Sequence, residues 1–276
     1  MAQDAGKIRL HVAADATAGG DGGPSAASLE PVAGSWVAGH RLTLGRDQAH
    51  YLLRVMRLGH GARLSVFNGR DGEWAAEIAE ASKRDAMLAL IERLRPPEAP
   101  PDLWLCFAPI KKARTDFIVE KAVELGCRRI VPCLTQHTNA ERVRTDRLAA
   151  HAVEAAEQCG LVHVPEVAEP VSLKALLDSW PEGRRLMVCD ERAAGFGRET
   201  PADLPPAADA LSSARLGDAG WAVFCGPEGG FSDSEITRLA AMPDALAVGL
   251  GPRVLRADTA AVAAITLWQS VLGDWR

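Results

Sequence analysis

Four prolines in six residues, Pro96-Pro97-Glu98-Ala99-Pro100-Pro101, constrain the folding of this 276-residue chain more than any other feature. Each proline fixes φ, removes a backbone donor and holds the preceding residue extended, so no helix or central strand crosses the stretch. The pattern changes on either side of it. Before it, apolar residues alternate at Ile8, Leu10 and Val12, then over 64–67, 74–78 and 87–91, which predicts strands. Asn68-Gly69 and Asp71-Gly72 supply hairpin-turn chemistry between the second and third of these. One helix is predicted over 47–58, with Ala49, Leu52, Leu53 and Met56 on one side. The reading is a small β-rich domain over 1–95 and a linker over 96–101. Residues 13–35, rich in Ala, Gly, Ser and Asp, read as a loop insert.

After the break, strands and helices alternate. Strands are predicted over 103–108, 129–134, 162–167, 185–189, 221–225 and 246–250. Helices are predicted over 115–125, 146–158, 172–179 and 259–272, with another opened by the capping box Ser232-Asp233-Ser234-Glu235. Such βα alternation predicts an α/β domain over 102–276, a parallel sheet covered by helices. Residues 201–219, rich in Pro, Ala and Asp, read as a second loop insert. The last helix, with Ala260 to Ala264, Ile265, Leu267, Trp268, Val271 and Leu272, has almost no polar face. It must be buried in a core or against a second subunit.

Composition excludes several classes. With 47% hydrophobic and 24% charged residues the chain is neither disordered nor fibrous. No apolar run approaches the roughly 18 residues that cross a bilayer. Residues 1–12 carry Asp4, Lys7 and Arg9 and no apolar signal core, so a cytoplasmic location is expected. Cysteines 106, 127, 133, 159, 189 and 225 form no C-x-x-C pair, so buried thiols and no metal are expected. The net charge of −5 argues against nucleic acid, but its distribution does not. Residues 41–70 hold six arginines against one acid, and 111–150 hold nine Lys/Arg against five acids. Two basic fields on an acidic chain suit a phosphate backbone or a solvated helix face.

Two loops carry the chemistry. Cys225-Gly226-Pro227-Glu228-Gly229-Gly230-Phe231 runs from a buried strand into the capped helix, and its glycines admit a close ligand. It lacks the Lys-Ser/Thr of a phosphate loop, and Pro227 deletes an amide donor, so it is a ligand loop of another kind or a structural turn. Leu250-Gly251-Pro252-Arg253-Val254-Leu255-Arg256-Ala257-Asp258-Thr259-Ala260 enters the apolar helix, with Asp258 or Thr259 available as cap. Its arginines either hold carboxylates or face an anionic substrate.

Together with Lys111 to Asp116, Glu120 to Gly126, Glu154 to Gly160, His50 to Leu58 and Phe67-Asn68-Gly69, these loops resemble the ribosomal RNA small subunit methyltransferase E family. That resemblance implies S-adenosyl-L-methionine-dependent methylation of N3 of one uridine in 16S ribosomal RNA. It also implies a PUA-like N-terminal RNA-binding domain, a C-terminal SPOUT domain with a trefoil knot, and a homodimer. The cofactor residues it implies are Gly226, Pro227, Glu228, Gly229, Leu250, Gly251, Arg253, Leu255, Arg256, Thr259 and Ala260, with Glu191 at the end of the 185–189 strand as a third wall. Three positions depart from the family pattern: Asp258 for Glu, Leu161 for Arg, and Thr135 to Thr138 for an Arg-Ser pair.

Methyl transfer to uracil N3 needs an unpaired base, loss of the N3 proton and stabilisation of the resulting negative charge. Arg256, with Arg114, is the candidate for the charge, and Glu228 is a candidate base or a cofactor contact. Arg54, Arg57, Arg63, Lys111, Lys112 and Arg114 are the RNA-backbone candidates. Tyr51 is the single tyrosine and the tryptophans are dispersed, so no aromatic platform for single strands is expected. A related enzyme acting on a ribose 2′-oxygen or guanine N1, and a non-catalytic ribosome-assembly factor, are the other readings.

Overall fold

The structure, a computed structural model, describes residues 4–13, 35–82, 85–139, 142–194, 203–214 and 219–275. Most of the 13–35 insert therefore lies outside the described residues, as do 195–202 and 215–218. Contacts divide the chain into two units: 1–99 with 156–164, and 100–155 with 165–276.

The first unit is a five-stranded sheet of β1 (Asp4–His11), β2 (Arg41–Thr43), β3 (Arg63–Phe67), β4 (Glu73–Ala81) and β5 (Ala86–Arg95), in the order β1-β3-β4-β5-β2. Only the β1–β3 pair is parallel. The alternation read from the sequence buries Leu10, Leu64, Val66, Ile78 and Leu88, joined in the core by Leu42 of β2 and closed by Leu52 and Trp36. The β3–β4 connection is a five-residue turn, 68–72. Asn68 Oδ1 accepts the N–H groups of Arg70 and Asp71, an Asx turn that leaves Gly69 and Gly72 at positive φ. At Gly72 the glycine is obligatory, because a Cβ would lie 2.2 Å from the Arg95 carbonyl oxygen.

The helix predicted over 47–58 is shorter and irregular. It is α1 (Arg46–His50) followed by a π-helical turn over Tyr51–Val55.

Residues 156–164, absent from the N-terminal domain as read from sequence, join the first unit for an electrostatic reason. Arg9 donates to the carbonyls of Ala156, Glu157 and Leu161, and Arg95 to that of Gly160, satisfying helix-end carbonyls that have no intrahelical partner. Buried Glu73 neutralises both guanidiniums, at 2.9 Å from Arg9 and 2.8 Å from Arg95. Burial alone would push the Glu73 carboxyl up, but the hydrogen bonds from Arg9, Ser65 and Arg95 outweigh it and hold the group below the usual carboxylate range.

In the second unit β6 (Leu103–Phe107), β7 (Arg129–Leu134), β8 (Glu166–Val167), β10 (Arg185–Cys189), β11 (Trp221–Cys225) and β12 (Ala245–Val248) form a parallel sheet. Its order is β12-β10-β11-β6-β7-β8, and β9 (Val171–Ser172) also pairs with β7. All five residues of β11 are buried, as a central parallel strand requires. The helices are α2 (Lys112–Glu124), α3 (Thr145–Cys159), α4 (Leu173–Asp178), α5 (Ala207–Ser213), α6 (Asp233–Ala240) and α7 (Ala257–Val271).

Three expectations change here. Helix α5 occupies part of the predicted 201–219 loop, because Ala207, Ala210 and Leu211 share one buried helix face. The 162–167 strand shrinks to Glu166–Val167. Finally, α7 begins at Ala257 with Arg256 as its uncapped N-cap, so Asp258 and Thr259 lie inside the helix. Ala261, Ala264, Ile265 and Trp268 bury one face of α7. Its one fully buried polar residue, Gln269, donates to the Leu125 carbonyl at 2.6 Å.

Five of the six cysteines are buried. Burial pushes the Cys106 thiol up to about 12, consistent with inert packing.

Candidate active site

Strands β10, β11 and β12 are neighbours in a parallel sheet, so the loops that leave their C-terminal ends emerge side by side. These loops are 190–194, 226–232 and 249–256, and with Ile236, Ala257 and Ala260 they enclose a cavity of about 410 Å³. A space of that size falls in the range for a small cofactor.

Each wall has a local cause. The first loop coils into a 3₁₀ turn over Glu191–Ala194. There buried Asp190 accepts the Arg192 backbone N–H at 2.9 Å and its Nε at 2.8 Å. That hydrogen bond, stronger than the opposing cost of burial, pushes Arg192 above its usual range. In the second loop, Gly230 turns back to donate to the Pro227 carbonyl at 2.9 Å, with φ +70°. Gly226 is pressed against the Phe231 ring, where a Cβ would come within 2.9 Å. Phe231 in turn meets Phe224 edge-on at 5.1 Å. The capping box closes α6: Ser232 N–H donates to Glu235 Oε2 at 2.9 Å, and the other Glu235 oxygen accepts the Gln136 N–H at 2.7 Å.

A fourth segment braces the second loop. His137 Nδ1 lies 3.1 Å from the Gly229 carbonyl oxygen and 3.0 Å from that of Gly230. Both partners are acceptors, so Nδ1 carries the proton. Thr138 Oγ1 accepts the Thr135 N–H at 2.9 Å and shapes the turn that presents the imidazole. Sequence reading noted 135–138 only as a departure from the family pattern. Arg192 and Phe231 were also missed; the signal for Phe231 was a lone aromatic inside a glycine loop.

Eleven of the twelve expected cofactor residues line the cavity; Thr259 does not. Arg253 and Arg256 are both exposed on its wall, and neither has an ion-pair partner among the described residues. Of the two roles open for these arginines, holding carboxylates is therefore excluded within the described chain. Among the lining carboxylates, Asp190 is paired and Glu191 has a partner, whereas Glu228 is exposed with none among the described residues. Arg114 is not in the cavity wall: its Nη1 donates to Asp258 Oδ2 at 3.0 Å, tying α2 to the first turn of α7. Of the RNA candidates, Arg54, Arg57, Arg63, Lys111 and Lys112 are all exposed. Among the described residues no group of three or more metal-binding side chains occurs.

Comparison with known proteins gives the family and the fold. The model of the RNA methyltransferase domain matches residues 97–269, and that of the RNA methyltransferase PUA domain matches 44–90. A curated ribosomal RNA small subunit methyltransferase E of Rickettsia conorii is 30% identical over 82% of this chain and 88% of its own length. A Legionella pneumophila protein assigned as a methyltransferase, solved in complex with the bound cofactor SAM, superposes with a TM-score of 0.77. It is 26% identical, and the match covers 97% of this chain and 98% of that one. A ribosomal RNA small subunit methyltransferase E from Neisseria gonorrhoeae, solved bound to S-adenosyl methionine, has the same fold with a TM-score of 0.76, 23% identity and 98% and 99% coverage.

Proposed function

Since the chain belongs to the ribosomal RNA small subunit methyltransferase E family, we propose that it methylates N3 of a uridine in 16S ribosomal RNA with S-adenosyl-L-methionine as donor. The observation that carries this reading is the cavity at the ends of β10, β11 and β12, walled by glycines, by unpaired Arg253 and Arg256, and by Glu228. The residues fit the group. Its adenosyl and amino-acid parts need a pocket of this volume, and its mixed charges need both carboxylates and guanidiniums. Glu191, Gly226, Glu228, Gly229, Leu250, Gly251, Arg253, Leu255 and Ala260 would hold it, and when bound it supplies a methyl group on a sulfonium.

The chain's own residues do the rest. Gly226 and Gly229 keep the wall thin so that backbone approaches the ligand. Arg256, at the uncapped N-terminus of α7, stabilises negative charge as the uracil loses its N3 proton. Glu228, the lining carboxylate without a partner among the described residues, is the candidate to take that proton if it is not held as a cofactor contact. No metal and no covalent intermediate are required, so positioning is the main contribution.

The same reading includes a cytoplasmic homodimer with the knotted threading of the family. The half-buried stripe of Val262, Ala263, Leu267 and Val271 on α7 supports the pairing. Among the described residues no helix is long and apolar enough to cross a membrane.

The test is a methylation assay on small ribosomal subunits that lack the modification, with the digested RNA analysed for nucleosides. 3-Methyluridine is expected. A 2′-O-methylated nucleoside or 1-methylguanosine would reassign the substrate, and bound cofactor without any product would favour the assembly-factor reading.

A further inference from the structure

The turn that follows α1 in the first unit is built differently from a surface helix end. Met56 N–H donates to the Tyr51 carbonyl and Leu58 N–H to the Leu52 carbonyl, both at 2.9 Å, so the turn is widened and underwound by inserted residues. Leu52 and Leu58 are buried anchors, and everything between Arg54 and Arg57 is pushed outward. Arg57 takes φ +55°, a left-handed conformation that a long side chain adopts only under constraint. The result is a knuckle on which Tyr51 (41% exposed), Val55 (59%) and Met56 (37%) are all uncovered.

Single exposed apolar side chains are ordinary. Three on one turn, flanked by unpaired cations, are not. Arg41 is paired with Glu80, Arg70 with Asp71, and Arg9 and Arg95 with Glu73. Arg46, Arg54, Arg57 and Arg63 have no ion-pair partner among the described residues, and Asp47 is the single acid between 41 and 70. Three of these, Arg46, Arg54 and Arg57, lie on α1 and the turn that carries the apolar surface. A partner that offers both anionic groups and flat apolar faces at close spacing is an unpaired RNA strand; in a duplex the base faces are stacked away.

We propose that the Tyr51–Arg57 knuckle is a base-contacting site for unpaired RNA, with a nucleobase covering Tyr51, Val55 and Met56 and its flanking phosphates held by Arg54 and Arg57. This rests on the RNA methyltransferase reading above. No aromatic platform is expected from the sequence, which places Met56 on the apolar side of its helix; the widened turn instead exposes Met56 beside Val55 and Tyr51, which periodicity does not reveal.

The experiment uses the full chain and fluorescence anisotropy with a labelled single-stranded oligouridylate and an RNA duplex of the same length, across a salt series. Tyr51→Ala and the double variant Val55→Ser, Met56→Ser should weaken single-strand binding about tenfold, with the salt slope unchanged and duplex binding unaffected. Tyr51→Phe should bind as the parent does. Arg54→Gln and Arg57→Gln should each make the slope of log K against log salt shallower by about 0.7. All variants should bind S-adenosyl-L-methionine with the parent's affinity, which shows that they are folded. If only the arginine variants change, the knuckle is an electrostatic patch and the base contact is overturned. No effect from any variant, while the parent binds the strand, overturns the site altogether. Failure of the parent itself to bind any RNA would instead count against the methyltransferase reading.

Discussion

Replacing His137 by alanine removes the one donor shared by the Gly229 and Gly230 carbonyls, at 3.1 and 3.0 Å. One proton serves both acceptors, so a single three-centre hydrogen bond is lost, not two. His137 is exposed, and water can take over part of the interaction. The net loss is therefore about 1 kcal/mol, the usual worth of one such bond. Because the bond braces the loop proposed to face the cofactor, the loss should appear as binding: Kd for S-adenosyl-L-methionine rises about fivefold. Isothermal titration measures that directly, and steady-state methylation should show KM for the cofactor rising more than kcat falls. The melting temperature should hardly move, since the side chain lies outside the core.

The control that separates donation from packing is His137→Asn, whose amide nitrogen reaches about as far as Nδ1 and should recover most of the affinity. The ring also packs on the loop, with its Cβ 3.3 Å from where a Cβ on Gly229 would stand. If asparagine binds as poorly as alanine, packing is what matters. If alanine binds as well as histidine, the Pro227–Gly230 turn holds itself and the brace does nothing.

Perturbations at four other positions have definite outcomes. Arg256→Ala should lower single-turnover methylation by about 10²–10³ while leaving the fold intact, and Arg256→Lys should recover only part of this because the planar fork is lost. Gly72→Ala should cost the first unit about 2–4 kcal/mol in thermal unfolding, through positive φ and a clash with the Arg95 carbonyl. Gly39→Ala, at φ +85° with nothing within 4 Å, should cost only about 1 kcal/mol. Glu73→Gln should destabilise by about 3 kcal/mol at neutral pH, as one partner of a buried ion network is removed. The folded-state pKa of Glu73 is depressed. Its contribution is therefore complete above the unfolded value near 4.3 and lost as pH falls through the folded one, so parent and variant melting temperatures should converge in acid.

The strands and helices that make the sheet were legible because each is a contiguous run whose periodicity is local. Strands β7, β10 and β11 match their predicted spans residue for residue. The cavity was legible for a related reason: its walls are three short loops, each a continuous motif, and adjacency of β10, β11 and β12 brings them together. Elements whose shape depends on distant partners were not. Helix α5 has its Ala207, Ala210 and Leu211 face hidden in a Pro- and Asp-rich composition, and three-residue β2 is too short for alternation to register. Residues 162–164 are apolar enough to suggest a strand, yet the carbonyls just before them are bound by Arg9 and Arg95, 152 and 65 residues upstream.

The supports of the site follow the same rule. His137 lies 92 residues from the loop it braces, and Arg114 lies 144 residues from Asp258. Neither contact has a local signature. At Leu161 the expected side-chain cation is gone, but the Leu161 carbonyl oxygen receives the Arg9 guanidinium at 2.8 Å, so a cation still sits at the end of that helix, brought from the N-terminal strand. Asp258, shorter than the usual glutamate, still reaches Arg114 at 3.0 Å and accepts the Thr259 N–H at 2.9 Å. Each of the three positions takes part in a hydrogen bond: His137 with the Gly229 and Gly230 carbonyls, the Leu161 carbonyl with Arg9, and Asp258 with Arg114. Such contacts suit loops whose residues are dictated by a ligand, as proposed for this cavity, because any donor of the right reach can brace a carbonyl from behind.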